Sequence, residues 1–108
     1  MGPCILVFPD CFTSLGGNQY IDSVAMGRWA AFLCDELVPR IDAEFRTIPG
    51  RTGRAVLGKS SGGYGALVHG MRHPDVWGAV ACHSGDLAFD LVYRPELPRT
   101  LDILARSG

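Results

Sequence analysis

The sequence predicts an α/β fold with a parallel sheet of about three strands and flanking helices. Three short apolar segments, 4–8, 55–57 and 78–82, are typical of strands buried on both faces. Apolar residues at helical spacing lie between them, over 26–45 and 64–72. Regular alternation of strand and helix favours parallel strands joined by right-handed crossovers.

Composition and charge narrow the class of protein. The chain has 108 residues, of which 47% are apolar and 19% charged, as in a folded domain rather than a disordered segment. Its net charge of −1 predicts neither a basic surface for nucleic acid nor attraction to an anionic membrane. Apolar runs are too short to span a bilayer. Residues 1–4 have neither the charged region nor the cleavage site of a signal peptide.

The four cysteines are Cys4, Cys11, Cys34 and Cys82. No two of them form a C-x-x-C pair, and their spacing fits no zinc-binding template. We expect buried, reduced thiols, with a disulfide or a reactive cysteine as the alternative. Reduced thiols favour a cytoplasmic location.

The helical pattern over 26–45 contains its own start signal and an interruption. Ser23 is positioned to cap the helix, and Pro39 lies inside the pattern. Because proline has no N–H group for the preceding turn, we expect a kink or a split at that point. A further helix from residue 98 onward is predicted to bury an apolar stripe made of Leu97, Leu101 and Leu104.

Residues 58–62, Gly-Lys-Ser-Ser-Gly, fit the G-x-S-x-G pattern of a nucleophile elbow. This motif requires a strand, a sharp turn and a helix, with Ser60 in a strained backbone conformation that exposes its hydroxyl. The flanking glycines and Gly63 allow the strand and the helix to approach closely. The N–H group of Ser61, at the helix start, would then face a developing oxyanion.

Residues 53–60 also match G-x-x-x-x-G-K-[ST], the phosphate-binding loop of nucleotide-binding proteins. That loop requires a strand before its first glycine and flexible small residues between its two glycines. Here Pro49 and Gly50 precede it, and the apolar segment 55–57 occupies the intervening positions. The register therefore disfavours nucleotide binding.

A nucleophilic serine needs a general base, and the chain has three histidines. His69 lies about 13 Å along the helix axis from Ser60, at about 1.5 Å per residue, and His73 lies farther still. His83 ends the third predicted strand, at the same sheet edge as the elbow. It is the candidate general base, with a supporting role in its loop as the alternative.

Ligands of parallel sheets bind beyond the carboxyl ends of the strands. Three loops, 9–22, 58–62 and 83–87, are predicted to meet at that edge. Asp86 and Asp10 lie in two of these loops and are candidates to orient His83. Capping of their own loops is the alternative role for both carboxylates.

Three more side chains near the motif are candidates for substrate contacts. Lys59, the only lysine in the chain, could attract an acidic substrate group, or it could be simply solvated. Tyr64 and Tyr20 could line a pocket for the acyl or alcohol group. Core packing or loop support is the alternative for both rings.

Segments 5–10, 33–39 and 58–65 resemble the putative-esterase family of α/β-hydrolases. This family contains esterase D (S-formylglutathione hydrolase), feruloyl esterases and the antigen 85 mycolyltransferases. Its members carry a helix ending in E-L-x-P and then a G-x-S-x-G-G elbow. The resemblance implies hydrolysis or transfer of small carboxylic esters through an acyl-enzyme on Ser60, with no metal or organic cofactor. It assigns one oxyanion donor to the N–H of Ser61, beside Gly62.

The chain departs from this family in length, since members are usually more than twice as long. A strand before residue 4, the strand with the triad acid and the loop with the triad histidine are missing; only 48 residues follow Ser60. We therefore expect a single, partial α/β-hydrolase domain over 1–108. The strand before residue 4 would lie between the first two strands seen here, so its absence leaves a gap that favours self-association. The alternative function is an incomplete domain that only binds or self-associates.

Overall fold

The computed structural model describes residues 2–107. Its strands are β1 (Asp22–Ser23), β2 (Gly27–Arg28), β3 (Ala55–Lys59) and β4 (Ala79–His83). Its α-helices are α1 (Trp29–Ala31), α2 (Val38–Glu44), α3 (Ser61–Arg72), α4 (Phe89–Val92) and α5 (Leu97–Ser107). A π-helical turn (Phe32–Leu37) joins α1 to α2, and 3₁₀ turns lie at Arg51–Gly53 and Arg94–Glu96.

The central sheet consists of β3 and β4, which pair in parallel from Ala55 opposite Ala79 to Lys59 opposite His83. Helix α3 connects these strands and packs tightly against them. A Cβ atom built on Gly70 would lie 2.2 Å from the Val80 side chain. The α/β alternation and the parallel pairing predicted for this half of the chain are therefore confirmed. The prediction that these strands are buried is wrong, since β3 alternates exposed and half-buried residues and β4 is exposed throughout. The second sheet is the short antiparallel pair of β1 and β2.

Segment 4–8 does not form the predicted strand, so the prediction of about three central strands is wrong. The side chains of Leu6 and Phe8 are 65% and 86% exposed. A buried strand needs neighbours that accept and donate its backbone hydrogen bonds. Within residues 2–107, β3 and β4 pair only with each other, and segment 4–8 pairs with neither strand.

The predicted long helix runs from Trp29 to Glu44 as α1, the π-helical turn and α2. Pro39 lies in the first turn of α2, directly after the π-helical turn. The N–H of Val38 donates to the carbonyl of Leu33, five residues earlier. The predicted disturbance around Pro39 thus takes the form of a widened turn, a known way to absorb a missing N–H donor.

The cap of this helix is Asp22 rather than Ser23, so that prediction is wrong. The Asp22 Oδ1 atom accepts hydrogen bonds from the N–H groups of Ala30, at 2.8 Å, and Ala31, at 3.1 Å. The Ser23 hydroxyl accepts the N–H of Met26 inside the β1–β2 turn. The helix begins later than the apolar periodicity suggested because residues 22–28 form this hairpin.

Helix α5 forms as expected, but its apolar stripe is exposed. Leu97, Leu101 and Leu104 are 56%, 65% and 62% exposed, so the prediction of a buried stripe is wrong. The radius of gyration of the molecule is 16.4 Å. A compact domain of this length would have a radius of about 13 Å. Across residues 2–107, no helix is long and apolar enough to cross a membrane.

The core is small and lies between α3 and the α1–α2 segment. Its buried residues are Cys11, Ala30, Cys34, Ala66, Val68 and His69. All four cysteines are free thiols, as predicted, but Cys4 and Cys82 are exposed. The expectation that the thiols are buried therefore holds for two of the four.

Candidate functional site

Ser60 occupies a sharp corner between the end of β3 and the start of α3. Its backbone angles are φ 55° and ψ −124°, a sparsely populated conformation for a residue with a side chain. Such a conformation costs about 1–3 kcal/mol and persists only where the surrounding structure enforces it. The structure therefore has the strand, strained turn and helix that the motif predicts.

Backbone hydrogen bonds from the neighbouring strand and loop hold this corner. The N–H of Ser60 donates to the carbonyl of His83 at 3.1 Å. The Ser60 carbonyl accepts the N–H of Tyr64 at 3.0 Å and the N–H of Asp86 at 3.4 Å. The loop after β4 is thus attached directly to the serine backbone.

Two glycines are required by close backbone contacts at the corner. A Cβ atom on Gly58 would lie 2.1 Å from the carbonyl oxygen of Gly62. A Cβ atom on Gly63 would lie 2.9 Å from the Cα of Gly85. A Cβ on Gly62 would meet nothing within 4 Å, so that position needs no glycine for packing. The close approach of strand and helix therefore depends on Gly58.

The hydroxyl of Ser60 is exposed and points at a carboxylate. Its Oγ atom lies 3.4 Å from Oδ1 and 3.3 Å from Oδ2 of Asp86. Because Ser60 provides no side-chain cap to α3, its hydroxyl leaves the N–H groups of the first helical turn free. These groups, which include those of Ser61 and Gly62, form the positive end of the helix dipole.

The other acid and base candidates, His83 and Asp10, make hydrogen bonds elsewhere. His83 contacts the corner through its backbone carbonyl, and within residues 2–107 its imidazole makes no hydrogen bond to Ser60. Asp10 accepts the N–H of Phe12 at 3.0 Å, which is the loop-capping role. The structure therefore brings Asp86, rather than an imidazole, next to the serine hydroxyl.

Beside the corner lies a cavity of about 490 Å³. The lining residues come from the loop before β1, the β1–β2 hairpin, the start of α3 and the chain after β4. They are Gly17, Asn18, Gln19, Ile21, Ser23, Met26, Ser61, Asp86 and Tyr93. The loops predicted to meet at the carboxyl edge of the sheet therefore do meet there. The side-chain amide of Gln19 donates to the hydroxyl of Tyr93 at 3.1 Å and so joins two walls of the cavity.

Neither Tyr20 nor Tyr64 lines this cavity. The ring of Tyr20 lies over Gly65, where a Cβ atom would come within 2.8 Å of it. Tyr64 packs against Phe89, with ring centroids 4.9 Å apart. Both rings therefore pack against neighbouring residues, which was the alternative to lining a substrate pocket. Lys59 is exposed, and within residues 2–107 it forms no ion pair.

The phosphate-loop alternative requires a loop between Gly53 and Gly58. Strand β3 occupies that stretch instead, from Ala55 to Lys59. This confirms that the register of the pattern is wrong for a phosphate-binding loop.

Gln19 and Tyr93 are the site residues that the sequence did not indicate. Gln19 lies in the loop 9–22, which was expected at this edge, but the sequence did not indicate which residue of that loop would line the cavity. Tyr93 follows the short helix α4, more than thirty residues after Ser60. Nothing in its local pattern distinguishes it from a core aromatic residue.

Comparisons with known proteins find similar sequences. Residues 21–91 match the family model described as "Putative esterase". The chain is 36% identical over 89 residues to "Esterase MT1326" and to "Esterase Rv1288", from two strains of Mycobacterium tuberculosis, CDC 1551 / Oshkosh and H37Rv. Each match covers 77% of this chain and 18% of the relative, so the chain spans under a fifth of those proteins. No solved structure matches the chain.

Proposed function

The chain belongs to the putative-esterase family, and from that premise we propose that it hydrolyses small carboxylic esters through an acyl-enzyme on Ser60. The observation that carries this proposal is the strained corner at Ser60. A non-glycine residue at φ 55° between a parallel strand and a helix, with an exposed hydroxyl, is the arrangement that a serine nucleophile needs.

In the proposed reaction, the Ser60 Oγ atom attacks the ester carbonyl carbon, and its proton passes to a base. The N–H of Ser61 stabilises the resulting oxyanion. Collapse of the intermediate expels the alcohol, which takes up a proton, and water then releases the acid from the acyl-enzyme. The cavity beside Ser61 provides the space for the ester.

The proposed base is His83, and the proposed partner of the serine hydroxyl is Asp86. The contact of 3.3–3.4 Å between Ser60 and Asp86 supports the second role. His83 would have to turn its imidazole toward Ser60, and its position opposite Lys59 in the sheet register brings its backbone close enough. The proposed site also includes Gly62 at the helix start and Lys59 for an acidic substrate group.

The test is hydrolysis of p-nitrophenyl acetate and butyrate, together with covalent labelling by a fluorophosphonate. We expect Ser60→Ala to abolish labelling and to lower the hydrolysis rate to that of background. Ser107→Ala is the matched control, because within residues 2–107 that hydroxyl bonds only to the carbonyl of Ile103 in its own helix. Equal rates for the wild type and Ser60→Ala would overturn the proposal.

Two further variants separate the proposed base from the proposed partner. If His83 is the base, His83→Gln removes most fluorophosphonate labelling at every pH. If Asp86 instead takes the serine proton, Asp86→Asn has the larger effect. Labelling that survives both changes would exclude both residues as the base.

A second candidate function has its own observation: the large exposed apolar side chains of segment 4–8, β3 and α5. Phe8, Leu57 and Leu101 are each more than 60% exposed. Such surfaces favour self-association, and an incomplete domain could act by association alone. Light scattering at micromolar concentrations should then detect oligomers, and a single monomeric species throughout would exclude this candidate.

A further inference from the structure

Three potential metal ligands meet at the end of α3 that is remote from Ser60. They are Cys34 in the π-helical turn, His69 near the end of α3 and His73 at its C-terminal cap. One ligand atom from each, the sulfur or a ring nitrogen, lies within 4.8 Å of the other two. The residues come from two segments more than thirty positions apart, so no spacing template could reveal them.

The distance between the first two ligands fits a tetrahedral metal site. The Cys34 Sγ atom lies 3.5 Å from Nδ1 of His69. With zinc bonds of about 2.3 Å to sulfur and about 2.0–2.1 Å to nitrogen, a tetrahedral angle separates the two ligand atoms by about 3.5 Å. An ion could therefore bind between them without moving either side chain.

A backbone contact orients the ring of His69, which is only 2% exposed. Its Nε2 atom lies 2.7 Å from the carbonyl oxygen of Tyr20. A carbonyl only accepts, so Nε2 carries the hydrogen and donates it, and the Nδ1 lone pair faces Cys34. Metal-binding histidines are typically held in this way, with the second ring nitrogen donating to a carbonyl.

His73 supplies the third ligand from the same helix face, four residues after His69. The two ring centroids are 5.3 Å apart. His73 is only half-buried and lies where α3 ends, so its ring has the freedom to complete the geometry. A cavity of about 240 Å³, lined by both histidines, Asp22 and Arg72 among others, leaves room for a water molecule as fourth ligand.

A simple S–H···N hydrogen bond would explain the contact between Cys34 and His69, but not the rest of the cluster. The Nε1 atom of Trp77 is buried without a hydrogen-bond partner among the described residues. It lies near the Cys34 sulfur.

We propose that Cys34, His69 and His73 bind a divalent transition-metal ion, with Zn²⁺ as the best fit to one thiolate and two imidazoles. Binding forms one sulfur–metal and two nitrogen–metal bonds, and the Cys34 proton leaves to solvent. The ion ties the α1–α2 segment to α3 and, through His69, to the loop at Tyr20. Its role is structural, since a bound metal ion adds stability to a domain with so small a hydrophobic core.

The test is a titration of the metal-free full chain with Co²⁺, followed by the thiolate-to-cobalt charge-transfer band and by displacement with Zn²⁺. We expect one ion per chain, and a rise in Tm on adding Zn²⁺. His73→Gln should weaken binding at least 10-fold and remove the rise in Tm. This variant changes a half-buried residue at a helix end, so circular dichroism should show an unchanged fold.

Matched controls use a cysteine and a histidine outside the proposed metal site. Cys82→Ser and His83→Gln should bind the ion as tightly as the wild type, whereas Cys34→Ser should lose the charge-transfer band. Failure to bind Co²⁺ at one equivalent, or equal affinity in His73→Gln, would overturn the proposal. Loss of the band in Cys82→Ser would do the same. Ser60→Ala should bind normally, so this test is independent of the proposed esterase activity.

Discussion

The unit formed by β3, α3, β4 and the α1–α2 segment differs from the two ends of the chain, segment 4–8 and α5. Both regions carry the apolar patterns that predict burial, but only the first region contains buried residues, and these lie on α1, the π-helical turn and α3 rather than on β3 or β4. Ala66 is 2% exposed, whereas Leu6 and Leu101 are each 65% exposed. An apolar pattern therefore shows which face of an element favours burial, while burial itself requires a neighbour that covers the face.

In the central unit each element contacts another, and the buried residues lie where the helices meet. Strand β3 pairs with β4, and α3 lies against both strands. Asp42 of α2 forms an ion pair with Arg54, the residue before β3, and accepts a hydrogen bond from Thr47 at 2.8 Å. The ends lack such partners within residues 2–107, which explains their exposure.

The largest expected effect is at the strand–helix contact. Gly58→Ala should lower the free energy of unfolding by about 3 kcal/mol or more, because the new Cβ would overlap the Gly62 carbonyl in a region that cannot yield. Gly62→Ala is the matched control, since its Cβ meets nothing, and a gain of about 0.5–1 kcal/mol is expected within the helix. Urea unfolding measures both. Equal losses in the two variants would contradict this account of the corner.

A smaller effect on the free energy of unfolding is expected when the buried Val68 is truncated, and a smaller one still for the exposed Leu101. Val68→Ala should cost about 1–3 kcal/mol, since Val68 is 8% exposed and its methyl groups fill the core. Leu101→Ala removes more carbon atoms, but it should change the free energy of unfolding by less than about 0.5 kcal/mol. The same urea experiments compare them. A larger loss from Leu101→Ala would mean that α5 has a partner in solution.

The smallest of the three effects concerns the ion pair and its pH dependence. The hydrogen bond from Thr47, and then Arg54, lower the pKa of Asp42 below its ordinary value of 3.8. Because the pKa of Asp42 is lower in the folded state, its charge stabilises the fold at pH values above the pKa of the unfolded state. This contribution disappears as the pH falls from about 5 through the pKa of the folded state. Asp42→Asn should therefore cost about 1–2 kcal/mol at pH 7 and flatten the decline in acid.

The control for Asp42 is an exposed ion pair on the same helix. Arg40 and Glu44 approach to 2.9 Å, but their side chains are 73% and 49% exposed. Glu44→Gln should change stability by less than about 0.5 kcal/mol at any pH. Thermal unfolding between pH 3 and pH 7 measures both variants, and identical pH profiles for wild type and Asp42→Asn would rule out the assigned role.

The elbow was predictable from the sequence because its determinants are local. A short apolar strand, a helix after Ser60 and a glycine at 58, which lets strand and helix approach closely, favour one sharp turn. The same local logic predicted the pairing of the strands on either side of α3 and the disturbance near Pro39. The cap at Asp22 was missed, since the intervening hairpin separates the carboxylate from the helix by seven residues.

The tertiary structure alone decided which side chains meet and which faces are covered. It placed Asp86 against Ser60, Tyr93 in the cavity wall and Cys34 beside His69, all contacts between distant segments. It also left segment 4–8 outside the sheet. Local sequence specifies backbone preferences within a few residues, but contacts between distant segments depend on which partner surfaces are present. Those surfaces exist only once the whole chain has folded.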